Sequence, residues 1–132
     1  MYRYIFPAIA LIAGTAALSA DNYHQRQDAK DQAELAKALT GFTPGRPTSC
    51  IPQNRVRDTQ RVGDTILYKV SSRQLYRTDT GGGCFGLRNG DAMITKSFTG
   101  QFCRGDIIRT VDLPSRVDSG SCTFGDFTPY TK

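Results

Sequence analysis

The sequence predicts an all-β fold, a small antiparallel barrel or two-layer sandwich of about six strands, braced by disulfides and preceded by a signal peptide and a short helix. Three observations lead there. Short runs of β-branched and aromatic residues crowd the chain after position 50 and are separated by turn residues. No helical periodicity comes between those runs. The four cysteines, at 50, 84, 103 and 122, all lie in the same part of the chain, as expected of two structural disulfides in an oxidising compartment.

The chain starts with Met1-Tyr2-Arg3, continues through an apolar stretch at 4–18, and offers Leu18-Ser19-Ala20 as a small-residue cleavage site. That is the three-part pattern of a signal peptide over residues 1–20, cut near Ala20. The apolar stretch is shorter than the roughly 20 residues a spanning helix needs, so no stable membrane insertion is expected after cleavage. The product is expected in the periplasm or the medium. Within 21–49, residues 28–39 are rich in helix formers, with Leu35 and Leu39 four apart and Thr40-Gly41 as a stop. Residues 43–49, with two prolines and a glycine, predict a linker. The folded domain is placed at 50–132.

Six strands are expected there, at 55–62, 65–70, 74–78, 92–98, 106–111 and 121–128. Ile66, Tyr68 and Val70 alternate with Leu67 and Lys69, which is the period of a strand. Gly63-Asp64, Ser71-Ser72, Gly81-Gly82-Gly83, Asn89-Gly90, Gly100 and Gly120 bound the runs. A core of about 80 residues is marginal without staples. Four cysteines allow three pairings. Cys84 with Cys103 and Cys50 with Cys122 is the expected one, the second bond tying the start of the domain to its last strand. Loop closure assigns about 3 and about 4 kcal/mol to the two bonds.

Removing residues 1–20 takes away Arg3, leaving 16 basic against 12 acidic residues, a net +4. Twelve of the seventeen basic residues are arginine, and 46–77 holds seven basic residues against Asp58 and Asp64. Arg55, Arg57, Arg61, Arg73 and Arg77 are therefore the candidate contact residues for an anionic group. Tyr68, Tyr76 and Phe98, interleaved with Arg55, Arg57, Lys69, Arg73 and Arg77, also raise an oligonucleotide-binding barrel. Export disfavours nucleic acid, and the aromatics are expected on the buried face of their strands.

Catalytic and metal chemistry finds little support. Gly81-Gly82-Gly83-Cys84-Phe85-Gly86 matches G-x-G-x-x-G, but Asn89-Gly90 turns the chain where a dinucleotide site needs a helix inside a parallel βαβ unit. The cysteines lack the close pairs of a structural zinc site. Paired cysteines provide no nucleophilic thiolate, and the single histidine, His24, precedes the domain. Asp91, Asp106, Asp112, Asp118 and Asp126 supply carboxylates without diagnostic spacing for hydrolysis. Arg104-Gly105-Asp106 spells an adhesion tripeptide and is expected to be a turn. No cofactor and no metal is expected.

Ser49-Cys50-Ile51, Cys84-x-Gly86-Leu87, Phe102-Cys103-Arg104-Gly105-Asp106-Ile107-Ile108 and the run from Gly120 to Pro129 (Gly-Ser-Cys-Thr-Phe-Gly-Asp-Phe-Thr-Pro) resemble a family of small exported proteobacterial proteins with a domain of unknown function. The resemblance covers about residues 49–130. It implies export and disulfides, and carries no mechanism.

The expected function is that of a non-catalytic binding or structural domain of the bacterial envelope, touching an envelope protein or an anionic envelope component through its arginines. Three alternatives accompany it: an inhibitor of an envelope or extracellular enzyme acting through the 81–89 loop, a carboxylate-dependent envelope hydrolase, and the oligonucleotide-binding barrel.

Overall fold

The computed structural model describes residues 16–132. Positions 1–15 of the expected signal peptide lie outside the described residues. In chain order the elements are helix α1 (Ala16–Ala38), strands β1 (Thr43–Pro44) and β2 (Cys50–Pro52), a 3₁₀ turn (Gln53–Arg55), β3 (Asp58–Val62), β4 (Thr65–Ser71), β5 (Gln74–Asp79), the short helix α2 (Gly86–Asn89), β6 (Ala92–Thr95), β7 (Gln101–Cys103), β8 (Ile107–Asp112), β9 (Val117–Thr123) and β10 (Thr128–Thr131). They form a five-stranded sheet ordered β1-β10-β5-β4-β3, a three-stranded sheet β6-β8-β9 and a two-stranded pair β2-β7. The fold is strand-rich and disulfide-braced as expected, and the sheets do not close into a barrel.

Strand β4 organises the layers. Ile66 and Tyr68 enter one hydrophobic cluster while Leu67, between them, enters a second on the opposite face. A strand covered on both faces reads as a continuous apolar run, and Ile66-Leu67-Tyr68 is fully of that kind. The larger cluster lies between the five-stranded sheet and the two smaller ones. It contains Ile51, Ile66, Tyr68, Leu87, Ile108, Phe124 and Phe127, with Phe102 packed against it. Tyr68 stacks on Phe102 at 5.2 Å between ring centroids, and Phe124 lies 5.3 Å from Phe127. These offset and tilted pairs are the arrangements aromatic rings prefer.

The second cluster joins Val62, Leu67 and Leu75 to Leu35 and Ala38 of α1's C-terminal end and to Leu39 and Phe42 beyond it. The helix is longer than residues 28–39 suggested, since it crosses the polar segment before them and includes the expected cleavage point. Gly41, at φ +82°, ends the chain's helical course. The expected linker is corrected too. Thr43–Pro44 pairs with β10, and Thr48 bridges Phe127, so this proline-rich stretch forms the rim of the large sheet. Proline is tolerated there because an edge strand leaves N–H groups outside the ladder.

The cysteine pairing also departs from expectation: the bonds are Cys50–Cys103 and Cys84–Cys122. The expected pairing nests one loop inside the other, whereas strand pairing interleaves them. β2 and β7 are antiparallel with Cys50 directly opposite Cys103. Cys84 meets Cys122 because the 81–85 segment lies on β9, where Ser121 N–H donates to Gly83 O at 3.1 Å. Backbone approaches so closely there that a side chain on Gly120, at φ +151°, would strike the backbone of Gly83, Cys84 and Phe85.

Candidate functional site

The five candidate arginines do not form one surface. Register opposes Arg61 to Ile66 and Arg77 to Leu67, so the two lie on opposite faces of the large sheet. Arg61 is a structural tie, its guanidinium donating to the carbonyls of Asp91 and Gly90, the latter at 3.3 Å. Arg77 pairs with Asp79 at 3.3 Å. Arg55, Arg57 and Arg73 are exposed at turns or strand ends; the backbone N–H of Arg57 donates to Lys69 O at 2.8 Å.

Other candidates are absorbed into structure. Among the described residues the strand pairings are all antiparallel, and no parallel βαβ unit surrounds the glycine-rich 81–86 run. Within the 81–89 stretch Cys84, Gly86 and Leu87 are buried, while Gly81, Phe85, Arg88 and Asn89 face outward. The Asp106 carboxylate accepts the Cys103 N–H at 2.9 Å, which turns the Arg104-Gly105-Asp106 segment into a closed corner. Asp126 pairs with Arg104, Asp118 with Arg109, and Asp112 accepts from Ser115 Oγ. These carboxylates end turns and ion pairs, and no two of the five nominated ones line the same one of the larger cavities. His24 stands exposed on α1 beside Tyr23.

The densest charged cluster surrounds Arg88 of α2. Its guanidinium reaches Asp31 at 2.5 Å, Asp64 at 3.7 Å and Asp28 at 3.9 Å. Burial opposes the guanidinium's charge, but the hydrogen bond to Asp31 and the charges of all three carboxylates outweigh it and raise its pKa. This cluster pins the polar part of α1 to the body.

A different surface has the shape of a binding site. On β8, Ile108 points into the core while Ile107 and Arg109 face outward. Ile94 of β6 lies opposite Arg109 and shares that outward face. After Thr95 the chain leaves the sheet for residues 96–100. Ser97 Oγ closes this loop, donating to Gln101 O at 2.7 Å and accepting the Gln101 N–H at 3.1 Å. Gly100, at φ +72°, makes the turn back, and its carbonyl accepts the Gln53 N–H at 3.0 Å. Strand β7 then ends at Cys103 and its disulfide.

Phe98 sits on this loop 97% exposed, beside Ile107 at 61% and Ile94 at 43%. Between loop and sheet runs an open groove of about 600 Å³, lined by these three residues together with Lys96, Asp106 and Arg109. Arg109 is held by Asp118 at 2.6 Å and Asp106 by its turn, whereas Lys96 has no ion pair or hydrogen bond among the described residues. With Ser97 Oγ committed to Gln101 in both directions and no histidine nearby, the groove has binding groups and no activated nucleophile.

Phe98 was expected on a buried face, at the end of a strand running to position 98. Instead β6 stops at Thr95. Tyr68 is buried and Tyr76 packs against the core, as expected. Two signals mark the difference: alternation from the core-facing Met93 puts residues 94, 96 and 98 outward, and Lys96, Ser97, Thr99 and Gly100 around Phe98 are turn and surface residues.

Compared with protein-family models, with curated proteins and with solved structures, the chain matches none.

Proposed function

We propose that this chain is a non-catalytic binding domain of the bacterial envelope or extracellular space, and that it engages its target through the Phe98 loop and the groove behind it. One observation carries the reading: a phenylalanine almost wholly exposed on a loop braced at both ends. Single exposed apolar residues are ordinary. Here three of them line one groove, while Tyr68, Tyr76, Phe102, Phe124 and Phe127 pack in or against the core. A braced loop also lowers the ordering cost of binding, and buried aromatic anchors dominate interface energies. Two disulfides, with no helix among the described residues long and apolar enough to cross a membrane, are compatible with life outside the cytoplasm.

The test is retention of envelope protein and lipid from the native host on the immobilised chain, compared with two variants. Phe98→Ala is expected to abolish retention of the specific species, and the triple change Arg55→Ala, Arg57→Ala, Arg73→Ala to leave it intact. Loss on the arginine variant alone would return the contact surface to the arginines and overturn the reading. The same loop favours a second reading, an enzyme inhibitor whose single aromatic enters an apolar specificity pocket. Chymotrypsin, whose specificity pocket is a hydrophobic slot, is the probe: stoichiometric inhibition lost in Phe98→Ala supports this reading, and unchanged activity rejects it.

A further inference from the structure

Beyond the Phe98 groove, and without resting on it, we propose that β6 is a docking edge: an extended segment of a partner protein adds there as a further strand, its inward side chains uncharged and seated in the cavity beneath. The small sheet runs β6-β8-β9, so β6 has a strand on one side only. Among the described residues, the backbone of 92–95 has its hydrogen-bond partners on β8 and nowhere else. Its outer N–H and C=O groups are a template for another strand. The other edges are closed. The 81–85 segment meets β9 where Ser121 N–H donates to Gly83 O. Strands β1 and β2 carry Pro44 and Pro52, β3 carries Asp58 and Arg61, and the β7 N–H groups of Gln101 and Cys103 go to Ser97 and Asp106. Proline, charge and cover are the means by which sheets protect their edges. Ala92-Met93-Ile94-Thr95 has none of them.

The cavity selects the side chains. Alternation puts Met93 and Thr95 on the face of β6 opposite Ile94. On that face a cavity of about 330 Å³ opens between β6 and β3, lined by Met93 and Thr95 with Thr59, Val56, Tyr68 and Phe102. No charged residue lines it. Tyr68 is 4% exposed, and its hydroxyl has no hydrogen-bond partner among the described residues. A tyrosine so enclosed ordinarily has one. An incoming strand as long as β6 presents two inward side chains, and an aliphatic one beside a hydroxyl or amide matches this lining. A small molecule would fill the cavity and leave the β6 row unused. An extended segment uses both, main-chain hydrogen bonds supplying affinity and alternate side chains specificity.

Selection of a random heptapeptide display library on the disulfide-intact protein, followed by titration of the synthetic winners, tests this. Winners should carry uncharged side chains at alternate positions. N-methylating alternate amides along one edge of a winning peptide should weaken binding roughly tenfold or more, the loss expected when two backbone hydrogen bonds go. The same change along the other edge should have little effect, because a single edge faces β6. Thr59→Trp, which fills the cavity mouth from an exposed position, should weaken binding by a similar factor with an unchanged thermal melt, and Arg73→Ala should leave it unaltered. The N-methyl series uses the parent protein, so it decides even where the Trp variant folds poorly. No enrichment, or winners that tolerate both N-methyl patterns, overturns the proposal. A parent protein that sediments as a dimer with its β6 amides protected from exchange also overturns it, assigning the edge to a second copy. Winners that tolerate both patterns and fail on Phe98→Ala overturn strand addition and leave the groove as the binding surface; winners that need one edge and an open cavity uphold it whatever Phe98→Ala does to retention from envelope extracts.

Discussion

Replacing Cys84 and Cys122 by alanine, and separately Cys50 and Cys103, asks whether loop length or burial sets the worth of each disulfide. The bonds span 38 and 53 positions. Chain-entropy arithmetic gives about 4 kcal/mol for either, with the longer loop ahead by only about 0.3 kcal/mol. Burial points the other way. Cys84 is fully buried and Cys122 is 7% exposed, both within the main cluster, whereas Cys50 and Cys103 are half-buried. Two buried sulfurs removed from a packed core, at about 0.8 kcal/mol per methylene-sized group plus a cavity penalty, add roughly 2 kcal/mol. The inner pair should therefore cost about 6 kcal/mol and the outer pair about 4 kcal/mol. A domain of this size has roughly 5–15 kcal/mol in total. Urea unfolding followed by tyrosine fluorescence, without reductant, gives the order directly. The Cys84→Ala, Cys122→Ala protein should be unfolded or have much the lower midpoint. Equal midpoints, or a lower one for the Cys50→Ala, Cys103→Ala protein, would refute the claim that burial decides.

Further outcomes follow from the same geometry. Arg88→Ala should cost about 1 kcal/mol, discounted for exposure as partly solvated ion pairs require. It should also speed amide hydrogen exchange in the polar part of α1 while leaving the β4 amides unchanged; unaltered exchange there would show that the Arg88 pairs do not hold the helix. Burial raises the Tyr68 phenol well above its ordinary value. Its contribution is therefore complete below the unfolded value of about 10 and is lost as pH rises beyond it, by up to about 1.4 kcal/mol per pH unit. Tyr68→Phe should flatten that alkaline loss in unfolding measured between pH 9 and pH 11 (about one unit either side of 10), and an unchanged slope would contradict it. Gly120→Ala should cost about 3 kcal/mol or more, from backbone collision at a positive φ, and a thermal melt within a few degrees of the parent would show that the 83–85 segment can yield.

The legible part of this fold is the part where local pattern and tertiary role agree. Strands β3, β4 and β5 were readable because alternation and turn residues mark both their period and their ends. β1, β2 and β7 are two or three residues long, and their pairing comes from partners distant in sequence rather than from any local period. The expected strand at 121–128 divides into β9 and β10 because the Gly125 N–H turns to Asp79 O at 3.0 Å and Phe127 turns inward. Interleaved disulfides could not be inferred from spacing, since only the β2-β7 register brings Cys50 to Cys103. For the site, composition drew attention to the arginines, whose side chains are the most conspicuous polar feature. The groove depends on where β6 ends, and strand ends are set by hydrogen bonds such as those between Ser97 and Gln101 rather than by composition.

The two disulfides then divide their work between the core and the binding surface. Cys84–Cys122 sits inside the main cluster, but Cys50–Cys103 ties β2 to β7, the strand by which the Phe98 loop returns. The neighbouring Phe102 faces inward and stacks on Tyr68, so packing alone keeps that strand seated when the bond is gone. What packing does not fix is the exposed loop beyond it, whose remaining ties are Ser97 to Gln101 and Gln53 to Gly100. Breaking the bond should therefore loosen the loop before it loosens the fold. In the Cys50→Ala, Cys103→Ala protein, amides of residues 97–101 should exchange at least tenfold faster even where exchange is by local opening (a loss of about 1.4 kcal/mol of local stability), with those of β4 and β5 speeded no more than the loss of about 4 kcal/mol in global stability requires. Uniform acceleration would mean that this disulfide braces the whole domain, and no acceleration at 97–101 would mean that the hydrogen bonds alone hold the loop.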